Sequence, residues 1–63
     1  MHNPYAERMT TAKDIAQRII TLCESYEQSP NPMIINTFLV NVERLADLAE
    51  DIELEQTLKA LEA

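Results

Sequence analysis

Hydrophobic side chains recur every three or four residues along two stretches of the chain, which is the spacing of an amphipathic α-helix. In the first stretch the spacing alternates between four and three without interruption and connects Tyr5, Met9, Ala12, Ala16, Ile19, Cys23 and Tyr26. We therefore predict one helix over residues 4–28. A start at Thr11 is the alternative, because threonine is a poor helix former and Asp14 would complete a weak capping box.

The clearest interior break is the segment Ser29-Pro30-Asn31-Pro32. A proline disfavours the helical conformation in the residue before it, so Ser29 and Asn31 are predicted to be non-helical. Asn31 is also a strong N-cap, and proline fits the first position of a helix. The sequence therefore predicts a turn over residues 29–32, and the similar dipeptide Asn3-Pro4 is predicted to open the first helix.

The second stretch is hydrophobic over about half of the helix circumference. Its hydrophobic positions are Ile34, Ile35, Phe38, Leu39, Val42, Leu45, Ala46, Leu48, Ala49 and Ile52. One facing helix cannot cover so wide an arc, whereas a second hairpin could. We therefore predict a single all-α domain over residues 1–63, a helical hairpin that dimerises into a four-helix bundle. The dimer interface and core are predicted to contain Met9, Ala12, Ala16, Ile19, Cys23, Ile35, Phe38, Val42, Leu45, Ala49 and Ile52.

The pattern changes after Ile52, because Leu54, Leu58 and Leu61 lie on the side that is polar upstream. Two interpretations stay open. The second helix either continues over residues 32–60 with a possible kink near residues 50–53, or it ends there and a short third helix follows. No strong helix breaker lies between residues 50 and 53, which favours the continuous helix.

Composition narrows the chemistry that the chain can perform. The 63 residues include no glycine, one cysteine and one histidine. Glycine-rich phosphate loops, an internal disulfide and a zinc site are therefore disfavoured. Cys23 has no basic neighbour that would activate its thiol, and the carboxylates lie on faces predicted to be exposed. We expect no metal, no cofactor and no enzymatic activity.

The charge is negative and uneven. Eleven acidic and five basic residues give a net charge of −6. Residues 1–30 hold four acids and three bases, while residues 31–63 hold seven acids and two bases. This composition therefore disfavours a broad basic surface that would bind nucleic acid or anionic membranes. A single thiol and no recognisable secretory signal favour a cytoplasmic location, and no hydrophobic stretch has the length of a membrane span.

The C-terminal segment carries the main functional prediction. Leu54, Leu58 and Leu61 form an apolar strip, which is flanked by Asp47, Asp51, Glu55 and Glu62. Such a strip suits a partner with a basic or apolar groove, and the alternative is that the acidic face only increases solubility. We predict a small regulatory or inhibitory protein that binds another protein, because compact acidic helical proteins of this size are of the type encoded by phages, plasmids and regulatory operons. The strip could occlude a nucleic-acid-binding surface by placing carboxylates where phosphates would lie.

Two alternative functions remain. The chain could be a structural subunit or adaptor of a larger complex. It could also bind RNA as a dimer through Arg8, Lys13 and Arg18 of the first helix. In length and hairpin layout it resembles the plasmid repressor-of-primer type of helical bundle, and this resemblance implies a dimer that binds RNA.

Overall fold

The computed structural model of the chain describes residues 5–62, which form two helices and, within that range, no strand. Helix α1 covers Ala6–Gln28 and helix α2 covers Pro32–Glu62. The two helices run antiparallel, because the start of α1 contacts the end of α2 through Arg8 and Glu55. The predicted all-α class and helical hairpin are confirmed for this part of the chain.

The turn follows from the capping chemistry of its own residues. The Asn31 Oδ1 atom accepts a hydrogen bond of 2.9 Å from the Met33 N–H, and the Asn31 carbonyl accepts one of 2.9 Å from the Ile34 N–H. Ser29 leaves the helical region at φ −147° and ψ 87°, while its N–H still donates to the Ser25 carbonyl. The predicted capping role of Asn31 is confirmed.

The start of α1 is only partly described. Residues Asn3 and Pro4, which the sequence predicts as the cap, lie outside the described residues. Tyr5 precedes the helix with φ −93° and ψ −11°, and its carbonyl accepts a hydrogen bond of 2.9 Å from the Met9 N–H. Because α1 begins at Ala6, the alternative start at Thr11 is not what the structure adopts.

Helix α2 continues without a break through residues 50–53. Its 31 residues correspond to about 46 Å of helix, consistent with the 51 Å long axis of the molecule. Leu54, Leu58 and Leu61 therefore belong to the same helix as the residues near the turn, and the described part of the chain contains no separate third helix.

The interior of the hairpin is a single seam between the helices. Residues with reduced solvent exposure alternate in steps of three and four, which is the pattern of a coiled-coil contact. The seam contains Tyr5, which precedes α1, together with Arg8, Ala12, Ile15, Ile19 and Leu22 of α1 and Ile34, Phe38, Asn41, Leu45, Leu48, Ile52 and Glu55 of α2. Ala16, next to Ile15, is also half-buried. Among the described residues only Ile15 and Asn41 are buried, with 7% and 6% of their surface exposed, and neither is completely enclosed.

The seam on α1 is displaced from the line of hydrophobic residues with four-three spacing. Arg8, Ile15 and Leu22 face α2, whereas Met9 and Cys23, each one residue further along, are exposed. The physical reason is that the hydrophobic arc of α1 is wider than α2 can cover. The predicted line runs along the middle of that arc, and α2 packs against one edge of it.

A lone hairpin therefore leaves much of its surface in contact with water. It exposes 5202 Å², whereas a compact monomer of 7.2 kDa is expected to expose about 4,100 Å². Its radius of gyration is 15.3 Å, against about 11 Å for a compact domain of this length. The excess surface is the feature from which the functional surfaces below arise.

Candidate protein-binding surfaces

A second set of hydrophobic residues lies beside the seam, and we call it the apolar face. On α2 its members follow the same alternating spacing as the seam, advanced by one residue and so rotated by about 100°. The apolar face consists of Met9, Ala16, Ile20 and Cys23 on α1, and of Ile35, Leu39, Val42, Ala46 and Ala49 on α2.

Both helices contribute to the same side of the hairpin. Cys23 and Ile35 line one shallow groove between the helices, together with Leu22, Ile34 and Phe38. Arg18 and Thr37 line the groove on the other side. Cys23 follows the seam residue Leu22, whereas Arg18 precedes the seam residue Ile19, so the two grooves lie on opposite sides of the seam.

The two sides differ in polarity. The groove opposite the apolar face is lined by Asp14, Gln17, Arg18 and Thr21, with Leu22 at its base. On the apolar face, charged residues of the described chain occur only at the borders: Glu27 near the turn, Glu53 towards the open end, Lys13 at the outer edge of α1, and Glu43 and Glu50 at the outer edge of α2. One side of the hairpin is therefore suited to water and the other to a protein surface.

The residues predicted for the dimer interface and core divide into two groups. Ala12, Ile19, Phe38, Leu45 and Ile52 lie in the seam, while Met9, Ala16, Cys23, Ile35, Val42 and Ala49 lie on the apolar face. The two groups are adjacent along both helices. Together they form the kind of continuous surface that a four-helix bundle buries, although the pairing of two hairpins itself stays a prediction.

The C-terminal leucines form a separate surface, which we call the leucine strip. Leu54, Leu58 and Leu61 are 60%, 52% and 78% exposed. Steps of four and three residues align them on the outer side of α2, about 150° from the seam. The same steps continue backwards to Asp51 and Asp47, and Glu62 follows the strip, so acidic residues lie at both ends.

Glu55 has a different position from the other acidic residues predicted to bind a partner. It faces α1 and forms an ion pair with Arg8. One turn later, the Lys59 ammonium lies 5.0 Å from the centroid of the Tyr5 ring, where it makes a cation-π contact. These two contacts hold the end of α2 against the start of α1.

The basic residues considered for RNA binding do not form a patch. Arg8 faces α2 and is paired with Glu55, Arg18 lines the polar groove, and Lys13 lies at the outer edge of α1. Phosphate groups bind where several cations point in one direction, so nothing in this arrangement favours an RNA interface.

The residues predicted for the core did not include the seam residues Ile15, Leu22, Ile34 and Leu48, which are hydrophobic, or Asn41, which is polar. The Asn41 Nδ2 group donates to the Thr37 carbonyl at 2.8 Å, while its buried Oδ1 atom accepts no hydrogen bond from the described residues. The sequence could have indicated that Asn41 is buried, because it lies three residues after Phe38 and four before Leu45, on a line whose other residues are hydrophobic. A polar residue on a hydrophobic line indicates a position that restricts how helices align.

Within residues 5–62 we find no group of three or more histidine, cysteine or acidic side chains that could hold a metal ion. Over the same residues, neither helix has the length and hydrophobicity needed to cross a membrane.

No protein-family model, curated protein or solved structure was found to match this chain. A functional proposal consequently has to be argued from its own surfaces.

Proposed function

We propose that the chain is a small regulatory protein that binds another protein through the leucine strip, and that it does so as a pair of hairpins joined in a four-helix bundle. The observation that carries the proposal is the exposure of three leucines on a side of α2 that the hairpin does not use. A cytoplasmic location is part of the proposal, because the chain has a single cysteine that cannot form an internal disulfide.

The spacing of the leucines fits one recognised mode of protein binding. Leu54, Leu58 and Leu61 occupy positions i, i+4 and i+7, which are the anchor positions of a helix that lies in a hydrophobic groove. Complete burial of a leucine side chain contributes about 1.5–3 kcal/mol relative to exposure. Three such anchors on one helix would contribute about 4.5–9 kcal/mol before the cost of association is subtracted.

The charge around the strip indicates the character of the partner. Residues 47–62 contain six acidic side chains and one basic side chain, and the basic one, Lys59, lies against Tyr5. A groove with a basic rim complements this segment, and charge complementarity speeds association and excludes acidic competitors. A protein that uses such a groove for nucleic acid would be inhibited, because the carboxylates occupy the place of the phosphates.

The test compares two substitutions on α2. Leu58→Asp places a charge in the leucine strip, and Val40→Asp places the same charge at a hydrophobic position of similar exposure, 46% against 52%, near the turn. Tagged wild type and both variants are used for capture from the native host, and circular dichroism monitors folding. We expect wild type and Val40→Asp to retain a common protein that Leu58→Asp loses, with all three equally helical.

Binding of the retained protein, once purified, should weaken as salt is raised, because the acidic flank contributes to it. The proposal is wrong if wild type retains no protein above background, or if Leu58→Asp retains the same protein as wild type. It is also wrong if Leu58→Asp unfolds the hairpin, since the strip would then be part of its core.

A further inference from the structure

We infer that a second copy of this chain covers the apolar face. This inference rests on the pairing of hairpins proposed above, and it assigns the contact between the two copies to one side of the hairpin. The residues that carry the contact are Met9, Ile20, Cys23, Ile35, Leu39 and Val42. All six are exposed in the single hairpin.

The area available matches what a stable pair requires. The hairpin exposes 5202 Å², roughly 1,100 Å² more than a compact monomer of 7.2 kDa. A standard protein interface removes about 800 Å² from each partner. One contact on the apolar face therefore accounts for most of the excess surface, so each hairpin needs a single partner copy.

The seam of a single hairpin is too thin to form a core of its own. Ile15 is the one hydrophobic residue of the described chain that is buried. Small domains without a disulfide or a structural metal are usually stabilised by self-association. Ile19 and Leu45 are only half-buried, and a second copy placed on the apolar face would cover them from the side that is now open to water.

The charges on the apolar face permit two identical copies to meet. The whole chain carries −6, so contact through its acidic regions would be repelled. The hydrophobic part of the face carries no charge. Its borders carry both signs, with Lys13 at the outer edge of α1, Glu43 and Glu50 at the outer edge of α2, and Glu27 and Glu53 at its two ends. The leucine strip, in contrast, is bordered by acids alone, so two copies would repel each other there.

The decisive experiment uses two valines that are two residues apart on α2. Val42 is on the apolar face and Val40 is on the polar side, with exposures of 39% and 46% in the single hairpin. Each is replaced by aspartate in the full chain, and the mass in solution is measured by sedimentation at several concentrations. We expect wild type and Val40→Asp to have twice the 7.2 kDa chain mass, and Val42→Asp to dissociate.

A buried, unpaired carboxylate at Val42 should weaken the dimer by about 100-fold or more. If this variant is unfolded, Val42→Ser takes its place, and we expect the dimer to weaken by about 10-fold for the loss of hydrophobic contact. The inference is overturned if wild type has the mass of one chain at every concentration. It is equally overturned if Val42 variants pair like wild type, or if Val40→Asp dissociates as well.

The single cysteine provides a second measurement that needs no substitution. The Cys23 thiol is exposed in one hairpin and should be shielded in the pair. Its rate of reaction with an aromatic disulfide reagent should therefore fall as the protein concentration rises, and a constant rate would contradict the inference. Leu58→Asp should leave mass and thiol reactivity as in wild type, so failure of the partner-binding proposal can be distinguished from failure of this one.

Discussion

Replacing Asn41 by leucine is expected to stabilise the protein, although it removes a native hydrogen bond. The Asn41 side chain is 6% exposed in the middle of the seam, and its Oδ1 atom has no donor among the described residues. A buried polar atom without a partner costs about 1–3 kcal/mol. The bond that would be lost, from Nδ2 to the Thr37 carbonyl, goes to an oxygen that the helix backbone already uses.

The size of the effect follows from the surroundings of Asn41. Leucine is larger than asparagine, and overpacking a closed core would cost about 1–3 kcal/mol. Here the position borders the open groove lined by Leu22 and Thr37, so the additional methyl groups have space and a hydrophobic neighbour. We expect a net gain of about 1–2 kcal/mol, or about 5–15 °C in Tm for a domain of this length.

The assay is thermal unfolding followed by circular dichroism at one fixed protein concentration, because pairing would make Tm depend on concentration. Asn36→Leu is the matched control on the exposed side of α2, where the change should be within about 0.5 kcal/mol. A lower Tm for Asn41→Leu would refute the reasoning. It would mean that Oδ1 has a donor in solution, such as Arg18 from the same groove or a group of the second copy.

Two smaller effects test the ends of the hairpin. Asn31→Ala removes the cap on the Met33 N–H and should lower stability by about 1 kcal/mol, while Asn36→Ala should not; equal Tm values for the two variants would contradict the capping role. The free energies of unfolding of Arg8→Gln, Glu55→Gln and the double variant should give a coupling energy of about 0.2–1 kcal/mol, which decreases as salt is raised. A coupling energy of zero would show that this half-exposed ion pair does not stabilise the hairpin.

The helices and the turn could be predicted because their causes are local in sequence. Proline restricts the residue before it, and an asparagine before Pro32 supplies the cap, whatever the remainder of the chain does. The continuity of α2 through residues 50–53 has the same origin, since no residue there interrupts the helical hydrogen bonds. The positions of Leu54, Leu58 and Leu61 were ambiguous, because a short third helix and a second apolar surface on a continuous helix would both show this spacing.

The contacts between the helices could not be predicted in the same way. The pairing of Arg8 with Glu55 depends on the register of the hairpin, to which the sequence contains no direct guide. The hydrophobic arc of α1 includes both the seam and the apolar face. The predicted line of residues runs along the middle of this arc, near Ala16, and therefore does not show which residues belong to the seam and which to the apolar face. Asn41 was overlooked because polarity was taken to indicate exposure, whereas its spacing from Phe38 and Leu45 placed it inside.

The open end of the hairpin explains why the leucine strip is suited to a partner outside the bundle. Beyond Ile52, the residues of α2 that face α1 are Glu55 and Lys59, and their contacts are an ion pair and a cation-π interaction. These contacts orient the last turns of α2 without burying a hydrophobic side chain. The leucines on the outer side are therefore fixed in position but remain exposed in the folded hairpin. They lie beyond Ala49, the last residue of the apolar face. The proposed second copy on that face and the proposed partner on the strip would therefore contact different residues of the hairpin.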